Sequence, residues 1–181
     1  MTPNNIIENL QQTLQEYQQL LSEPDIRERT MQLYLEGHIV LLDPSAKRVQ
    51  PQVSLGTEYR ADFVIETYDG VYKLVEIEKP TDRLYLKNGD PSSALTHAEQ
   101  QVLNWQRWIR QNIAYIRFES QLPMNDPEGL VIIGLRSQMS QEEIHRLEER
   151  NISRRGRIKI ITFDDLSLQL NQLIENIAEN N

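Results

Sequence analysis

The feature that most constrains the fold is a pair of apolar, β-branched segments, residues 60–66 and 71–80, separated by a short polar turn. Such segments on either side of a turn predict an antiparallel hairpin of two strands. The turn ends in a glycine, which readily adopts the left-handed conformation that closes a three-residue hairpin loop. We therefore predict a loop of residues 68–70, which pairs Thr67 with Val71.

The register of this hairpin decides whether its acidic side chains meet. With a three-residue loop, Asp62 faces Glu76 across the two strands, and Arg60 faces Glu78. Directly opposed β-carbons lie about 5 Å apart. Because side chains alternate along a strand, Glu76 and Glu78 share one face. A two-residue turn would shift the pairing by one residue and place Asp62 on the wrong face.

Carboxylates so placed repel each other unless a cation lies between them. Mg²⁺ prefers carboxylate oxygens and retains bound water for chemistry. An Asp on one strand, a Glu on its hairpin partner and a neighbouring Lys are the layout of metal-dependent phosphodiester cleavage, in which the metal polarises the phosphate. Acidic residues also occur on ordinary exposed strands, so a solvated strand edge is the alternative interpretation of Glu76 and Glu78.

Three parts of the chain resemble the PD-(D/E)xK nuclease superfamily: the acidic hairpin, the Glu-x-Glu-Lys-Pro segment at residues 76–80, and a helical segment at residues 98–105. Within that superfamily, residues 55–105 are most similar to the nuclease domain of the Shedu anti-phage defence family, and the likeness extends over about residues 25–168. The resemblance implies an α/β fold of the restriction-endonuclease type, with a mixed central sheet flanked by helices. It also implies Mg²⁺- or Mn²⁺-dependent cleavage of DNA, phage defence, and assembly into homo-oligomers such as a dimer or tetramer.

The chain departs from the superfamily pattern at one position. A Glu-x-Lys motif would place lysine at position 78, where this sequence has Glu78, and Lys79 falls on the opposite face of the strand. Some restriction nucleases that resemble this fold use Glu-x-Glu. The departure therefore leaves activity open and the third catalytic group undecided between Glu78 and Lys79, either of which would orient or deprotonate the attacking water.

The resemblance adds further site candidates. In the superfamily the helix before the sheet often contributes a glutamate to the metal site, and Glu28 is preferred here over Glu36. Asp62 and Glu76 would then hold the metal with the backbone carbonyl of Ile77, and Glu28 is a further candidate ligand. Gln101 and Trp105 match a Gln-x-x-x-aromatic pattern in which the glutamine bonds near the metal or the phosphate. A helix glutamate is more often solvent-exposed, and a glutamine at this position also fits an ordinary amphipathic helix. The expected metal ligands are thus Asp62, Glu76 and Ile77, and the wider catalytic set adds Glu28, Glu78, Lys79 and Gln101.

Composition limits the class of protein. The 181 residues suffice for one domain with a core, and the absence of cysteine excludes disulfides and thiolate zinc sites. We find no signal peptide and no run of about 18 apolar residues that would span a membrane, so we predict a cytoplasmic protein. A net charge of −8 argues mildly against non-specific nucleic-acid binding. The most basic stretch, residues 146–159, fits a solvated helix end better than a phosphate-binding surface.

The remaining pattern predicts the order of elements. Residues 3–22 read as a glutamine-rich helix that packs on a second copy of the chain or on its own domain, and we divide the chain into this N-terminal helix, 1–22, and a nuclease-like domain, 23–181. A second helix ends at Gly37, and residues 38–42 read as a short strand. A long helix is predicted over residues 94–118. Strand, helix, strand and helix then follow, with strands over residues 130–135 and 157–161 that should be parallel.

Three functions fit these observations. The first is a metal-dependent DNA endonuclease domain. The second is a catalytically inactive binding module that keeps the nuclease fold, for which Glu78 and the acidic surface argue. The third is an assembly protein built on the glutamine-rich first helix.

Overall fold

A computed structural model describes residues 3–179, with side chains from residue 5 onward, as a five-stranded sheet flanked by helices. The helices are α1 (Pro3–Leu21), α2 (Glu28–Gly37), α3 (Ser93–Gln111), α4 (Ile113–Phe118), α5 (Gln141–Ser153) and α6 (Phe163–Glu179). The strands are β1 (Ala46–Leu55), β2 (Tyr59–Thr67), β3 (Tyr72–Ile77), β4 (Glu128–Ile132) and β5 (Ile158–Ile161). Residues 1–2 and 180–181 of the two predicted domains lie outside this description.

The strands are arranged in the order β1-β2-β3-β4-β5. The pairs β1–β2 and β2–β3 are antiparallel, whereas β3–β4 and β4–β5 are parallel. This is the mixed central sheet flanked by helices that the sequence predicted, and the parallel pairing of the last two strands is confirmed. Within residues 3–179, none of the helices is both long and apolar enough to cross a membrane.

Two apolar layers cover the two faces of the sheet. Neighbouring residues of β3, such as Leu74 and Val75, belong to different layers, as side-chain alternation requires. The α3-side core includes Leu55, Ala61, Val64, Leu74, Leu95, Ala98, Val102, Trp105, Val131 and Leu147. The α6-side core includes Leu14, Tyr17, Met31, Leu35, Phe63, Ile65, Val75, Ile77, Leu166 and Leu170.

Helix α1 packs on the chain's own domain. Leu14 and Tyr17 are buried in the α6-side core, and the Tyr17 hydroxyl donates to the backbone oxygen of Phe163 over 3.0 Å. The Tyr17 ring also stacks on that of Tyr34 in α2, with 5.8 Å between centroids. The buried face of α1 is therefore covered by the same chain. An oligomer contact through α1 would have to use the exposed face of the helix.

Three elements differ from the prediction. Residues 38–42, predicted as a strand, instead contain a 3-10 turn at Ile39–Leu41, because Leu41 and Leu42 reach the α6-side core from a compact turn. The long helix predicted over residues 94–118 breaks at Asn112, whose side chain donates to the Trp108 carbonyl and separates α3 from α4. Strand β1 was not predicted.

The basic stretch at residues 146–159, predicted as a solvated helix end, is partly used for packing. Glu99 of α3 is only 3% exposed, and Arg150 and Arg154 of α5 both form ion pairs with its carboxylate. Nε of Arg154 lies 3.1 Å from Oε1 of Glu99. These ion pairs join α5 to α3.

Candidate active site

The predicted hairpin register is confirmed. Glu66 pairs with Tyr72 and Phe63 with Val75, and the Thr67 amide donates to the Val71 carbonyl over 2.9 Å. Gly70 closes the loop at φ 83°, which is the left-handed conformation that this loop requires.

The regular β2–β3 pairing ends where the acidic residues begin. One residue beyond the last pair, Asp62 lies beside Glu76 and their side chains form a hydrogen bond. The Glu78 amide donates to the Ile132 carbonyl of β4 over 2.9 Å. Arg60 was predicted to face Glu78, which is wrong: it pairs with Ser54 of β1, because β2 leaves β3 at this point.

Asp62 is held by three donors from different elements. Its Oδ1 atom accepts from Nε2 of Gln32 in α2 over 2.8 Å and from Nε2 of Gln52 in β1 over 3.2 Å. Its Oδ2 atom accepts from the Ile77 amide of β3 over 2.9 Å. Gln32 is itself oriented by Arg29, whose Nη1 donates to Oε1 of Gln32 over 2.8 Å. Burial raises the pKa of Asp62, and these hydrogen bonds partly oppose that rise.

Glu76 is the most perturbed acid of the site. It is 7% exposed, and burial, followed by the charges of Asp62, Glu78 and Glu28, raises its pKa to about 10. Nε2 of Gln101 in α3 donates to Oε1 of Glu76. A neutral Glu76 carboxyl can donate to Asp62, and that hydrogen bond favours the proton on Glu76 and the charge on Asp62.

Two more carboxylates act on this pair. Burial and the charges of Glu28, Asp82 and Asp62 raise the pKa of Glu78 to about 7. Burial, followed by the charge of Asp62, also raises the pKa of Glu28, which opens α2. Lys79 is exposed, and its charge lowers the pKa of both Glu28 and Glu78. The structure therefore brings together Asp62, Glu76, Ile77, Glu78, Glu28 and Gln101, with Lys79 at the rim.

The family follows from the sequence over most of the chain. Residues 8–167 match the family described as Shedu protein SduA, C-terminal. The chain belongs to this Shedu family. The predicted membership is confirmed, and α1 lies largely inside the matched region of the Shedu domain.

Two solved structures resemble the Shedu chain only distantly. A crystal structure of a repair endonuclease from Pyrococcus abyssi superposes with a TM-score of 0.43 at 10% identity, covering 78% of this chain and 48% of that one. An EndoMS–dsDNA2 complex superposes with a TM-score of 0.36 at 9% identity, covering 78% of this chain and 47% of that one. The chain thus spans about half the length of these structures. No curated protein matches the sequence significantly.

The donor atoms of the Shedu site suit a hard cation. Among residues 3–179, no three His, Asp or Glu side chains are grouped as a ready metal cluster. Mg²⁺, however, is usually held by one or two carboxylates, with water and substrate phosphate completing its shell. Asp62 and Glu76 supply two adjacent carboxyl groups, and nearby Glu28 and Glu78 add oxygen atoms and negative charge that a cation would neutralise. The residues present therefore fit Mg²⁺ or Mn²⁺.

Of the two glutamines that bond Asp62, helical spacing indicates Gln32, whereas Gln52 is easily missed in the sequence. Gln32 lies one turn after Glu28 on α2, so its approach to the site follows from helical spacing. Gln52 lies in β1, where Pro51 interrupts the apolar alternation that would have indicated a strand. The alternation of Val49, Val53 and Leu55 before a Gly-containing turn is the signal that could have found β1.

Proposed function

We propose that this Shedu chain is a metal-dependent DNA endonuclease domain that acts in anti-phage defence, in the cytoplasm and as a homo-oligomer. The proposal rests on the contact between Asp62 and Glu76, on the charges of Glu28 and Glu78 that act on Glu76, and on the charge of Asp62 that acts on Glu28, Glu76 and Glu78. Buried acids in mutual repulsion are typical of functional sites, because folding alone does not favour them. The resemblance to the Shedu defence family supports DNA as the substrate and phage defence as the role.

Each residue of the site has a part in this proposal. Asp62 and Glu76, with the Ile77 carbonyl and Glu28, would hold the cation. When bound, Mg²⁺ or Mn²⁺ polarises the phosphodiester and lowers the pKa of a water molecule. Glu78 would accept the proton of the attacking water, or Lys79 would orient that water. Gln101 keeps the Glu76 carboxyl in place through its amide.

Cleavage of supercoiled plasmid DNA tests the proposal. Purified protein should convert the plasmid to nicked or linear DNA with Mg²⁺ or Mn²⁺ and leave it intact with EDTA. An Asp62→Asn protein purified in parallel should leave the plasmid intact, which excludes a contaminating nuclease. If the wild-type protein never cuts with either metal, and Asp62→Ala changes nothing in phage-challenged cells, the enzyme proposal fails.

Gln101 should affect metal binding rather than the stability of the fold. Gln101→Ala removes the amide that orients Glu76, so we expect the Mg²⁺ concentration for half-maximal cleavage to rise about tenfold. Gln100→Ala is the matched control, because Gln100 is exposed and bonds Asn104 of the same helix over 2.9 Å. Its Mg²⁺ dependence should equal that of the wild type. Equal behaviour of the two variants in a Mg²⁺ titration would remove Gln101 from the site.

A second candidate is an inactive module that keeps the nuclease fold. Asp62 already accepts hydrogen bonds from Gln32, Gln52 and Ile77, and glutamate stands where the superfamily places lysine. Calorimetry with Mn²⁺ separates the two candidates. Binding that disappears in Asp62→Ala favours the nuclease, whereas no heat at millimolar Mn²⁺ favours the module.

A further inference from the structure

Gln52 has an unusual backbone conformation for a residue within a strand. Its φ of 52° is in the left-handed region, which residues with a side chain rarely adopt. The β1–β2 pairing is continuous on both sides of it, from Pro51 with Phe63 to Val53 with Ala61, but the pair between Gln52 and Asp62 is absent. The irregularity in β1 therefore lies directly opposite the central acid of the site.

The sheet bends at this point. In a regular strand, Ala61 and Phe63 would face the same side. Here Ala61 belongs to the α3-side core and Phe63 to the α6-side core. The tip of the β1–β2 hairpin is consequently folded toward α3, where a β-carbon on Gly56 would lie 2.5 Å from Cζ2 of Trp108. Asp62 lies at the bend itself.

The side chain at position 52 has a use that glycine could not supply. Glycine would take the same backbone conformation without strain, so the strained glutamine is not required by the bend alone. The Gln52 amide donates to Oδ1 of Asp62 over 3.2 Å, on the same oxygen that accepts from Gln32. Strained residues cluster at functional sites when the surrounding structure holds them in place.

We propose that Gln52 is a positioning residue: the left-handed kink in β1 directs its amide onto Asp62 and fixes the orientation of that carboxylate for the cation. This role rests on the proposed metal-dependent function. Gln52 would act through Asp62 and would not contact the cation itself. Residues that orient a metal ligand in this way commonly change the metal affinity by about 10- to 100-fold.

Two substitutions separate positioning from stability. Gln52→Gly removes both the amide and the strain, so the melting temperature should rise by about 2 °C while the dissociation constant for Mn²⁺ increases about tenfold. Gln52→Ala removes the amide but keeps the strain, so Mn²⁺ binding should weaken equally without a gain in melting temperature. A merely structural residue would change stability and metal binding together.

Gln121→Gly is the matched control. Gln121 also has a left-handed backbone, with φ 54°, but it is exposed and lies in the segment between α4 and β4. Relief of strain there should raise the melting temperature similarly and leave Mn²⁺ binding unchanged.

The Ile77 amide gives a readout that needs no metal, because it donates to Oδ2 of Asp62. In ¹H–¹⁵N spectra of the metal-free protein, its resonance should shift in both Gln52 variants and stay in place in Gln121→Gly. Wild-type Mn²⁺ affinity in both Gln52 variants, or an unshifted Ile77 resonance in both, overturns the positioning role. A wild-type protein that binds no Mn²⁺ contradicts the proposed function instead, and the Ile77 resonance alone then supports or overturns the positioning role.

Discussion

Replacing Glu76 by glutamine should make the metal-free protein more stable and abolish its cleavage of DNA. Glu76 is buried beside Asp62, and burial and neighbouring charges raise its pKa to about 10. Glutamine keeps the shape of the side chain, accepts from Gln101 and can donate to Asp62. It therefore retains the contacts of a neutral Glu76 and removes only the acid.

The size and the pH dependence of this effect follow from the direction of the pKa shift. An acid whose pKa is higher in the folded state destabilises the fold increasingly as the pH rises from 4.5, the unshifted value, toward about 10. At pH 7.5 we expect Glu76→Gln to raise the free energy of unfolding by roughly 2 kcal/mol, and the melting temperature by roughly 4–8 °C. Near pH 4.5 the difference should vanish. Loss of a metal ligand should lower the cleavage rate by about 10³-fold or more.

Thermal unfolding in EDTA at pH 4.5 and pH 7.5, together with plasmid cleavage in Mg²⁺, measures both effects. Glu66→Gln is the matched control on the same hairpin, because Glu66 pairs with Lys47 over 2.5 Å at the surface. Loss of this ion pair should lower the free energy of unfolding slightly and leave DNA cleavage unchanged. If Glu76→Gln is less stable than the wild type at pH 7.5, repulsion within the acidic cluster does not destabilise the fold.

The central hairpin could be predicted because local chemistry determines it. Gly70 selects a three-residue loop, and strict alternation of side chains then places Asp62 beside Glu76. No tertiary contact is needed for that inference. The start of α5 is also determined locally: the Ser140 hydroxyl accepts from the Glu143 amide, and the Glu143 carboxylate accepts from the Ser140 amide. Elements with a strong local signal are thus the ones that the sequence indicated correctly.

Position 52 shows what local patterns miss. Pro51 weakens the strand signal of β1, and a left-handed Gln52 breaks the alternation on which strand prediction depends. Only the pairing of β1 with β2 brings its amide to Asp62, over a separation of ten residues along the chain. Similarly, the apolar residues 38–42 fit a strand by composition, but burial of Leu41 and Leu42 in the α6-side core favours a turn. Long-range packing decides both cases.

The segment that follows the acidic residues of β3 makes a close contact with Gly134. Gly134 follows β4 with φ +64°, its amide donates to the Lys79 carbonyl over 3.1 Å, and its carbonyl accepts from the Phe163 amide over 3.0 Å. A β-carbon at this position would lie 2.5 Å from the Asp82 carbonyl oxygen and 2.6 Å from Cδ1 of Leu84. The segment after Glu78 therefore packs directly against a backbone that only glycine permits.

Gly134→Ala should consequently destabilise the protein more than an ordinary glycine substitution. We expect a loss of about 3 kcal/mol in the free energy of unfolding, which combines backbone strain with the clash, and a fall of roughly 6–12 °C in melting temperature. Displacement of residues 79–82 should also lower the rate of DNA cleavage, measured at temperatures below the unfolding midpoint, where the variant is still folded.

Gly70→Ala isolates the strain from the clash. Gly70 has φ +83°, and among residues 3–179 nothing beyond its chain neighbours lies within 4 Å of the position that a β-carbon would take. That variant should lose only about 1 kcal/mol. The free energy of unfolding of both variants can be measured by urea unfolding. Equal losses would mean that residues 79–82 move away from the new methyl group at no energetic cost, and that their contact with Gly134 does not support the acidic site.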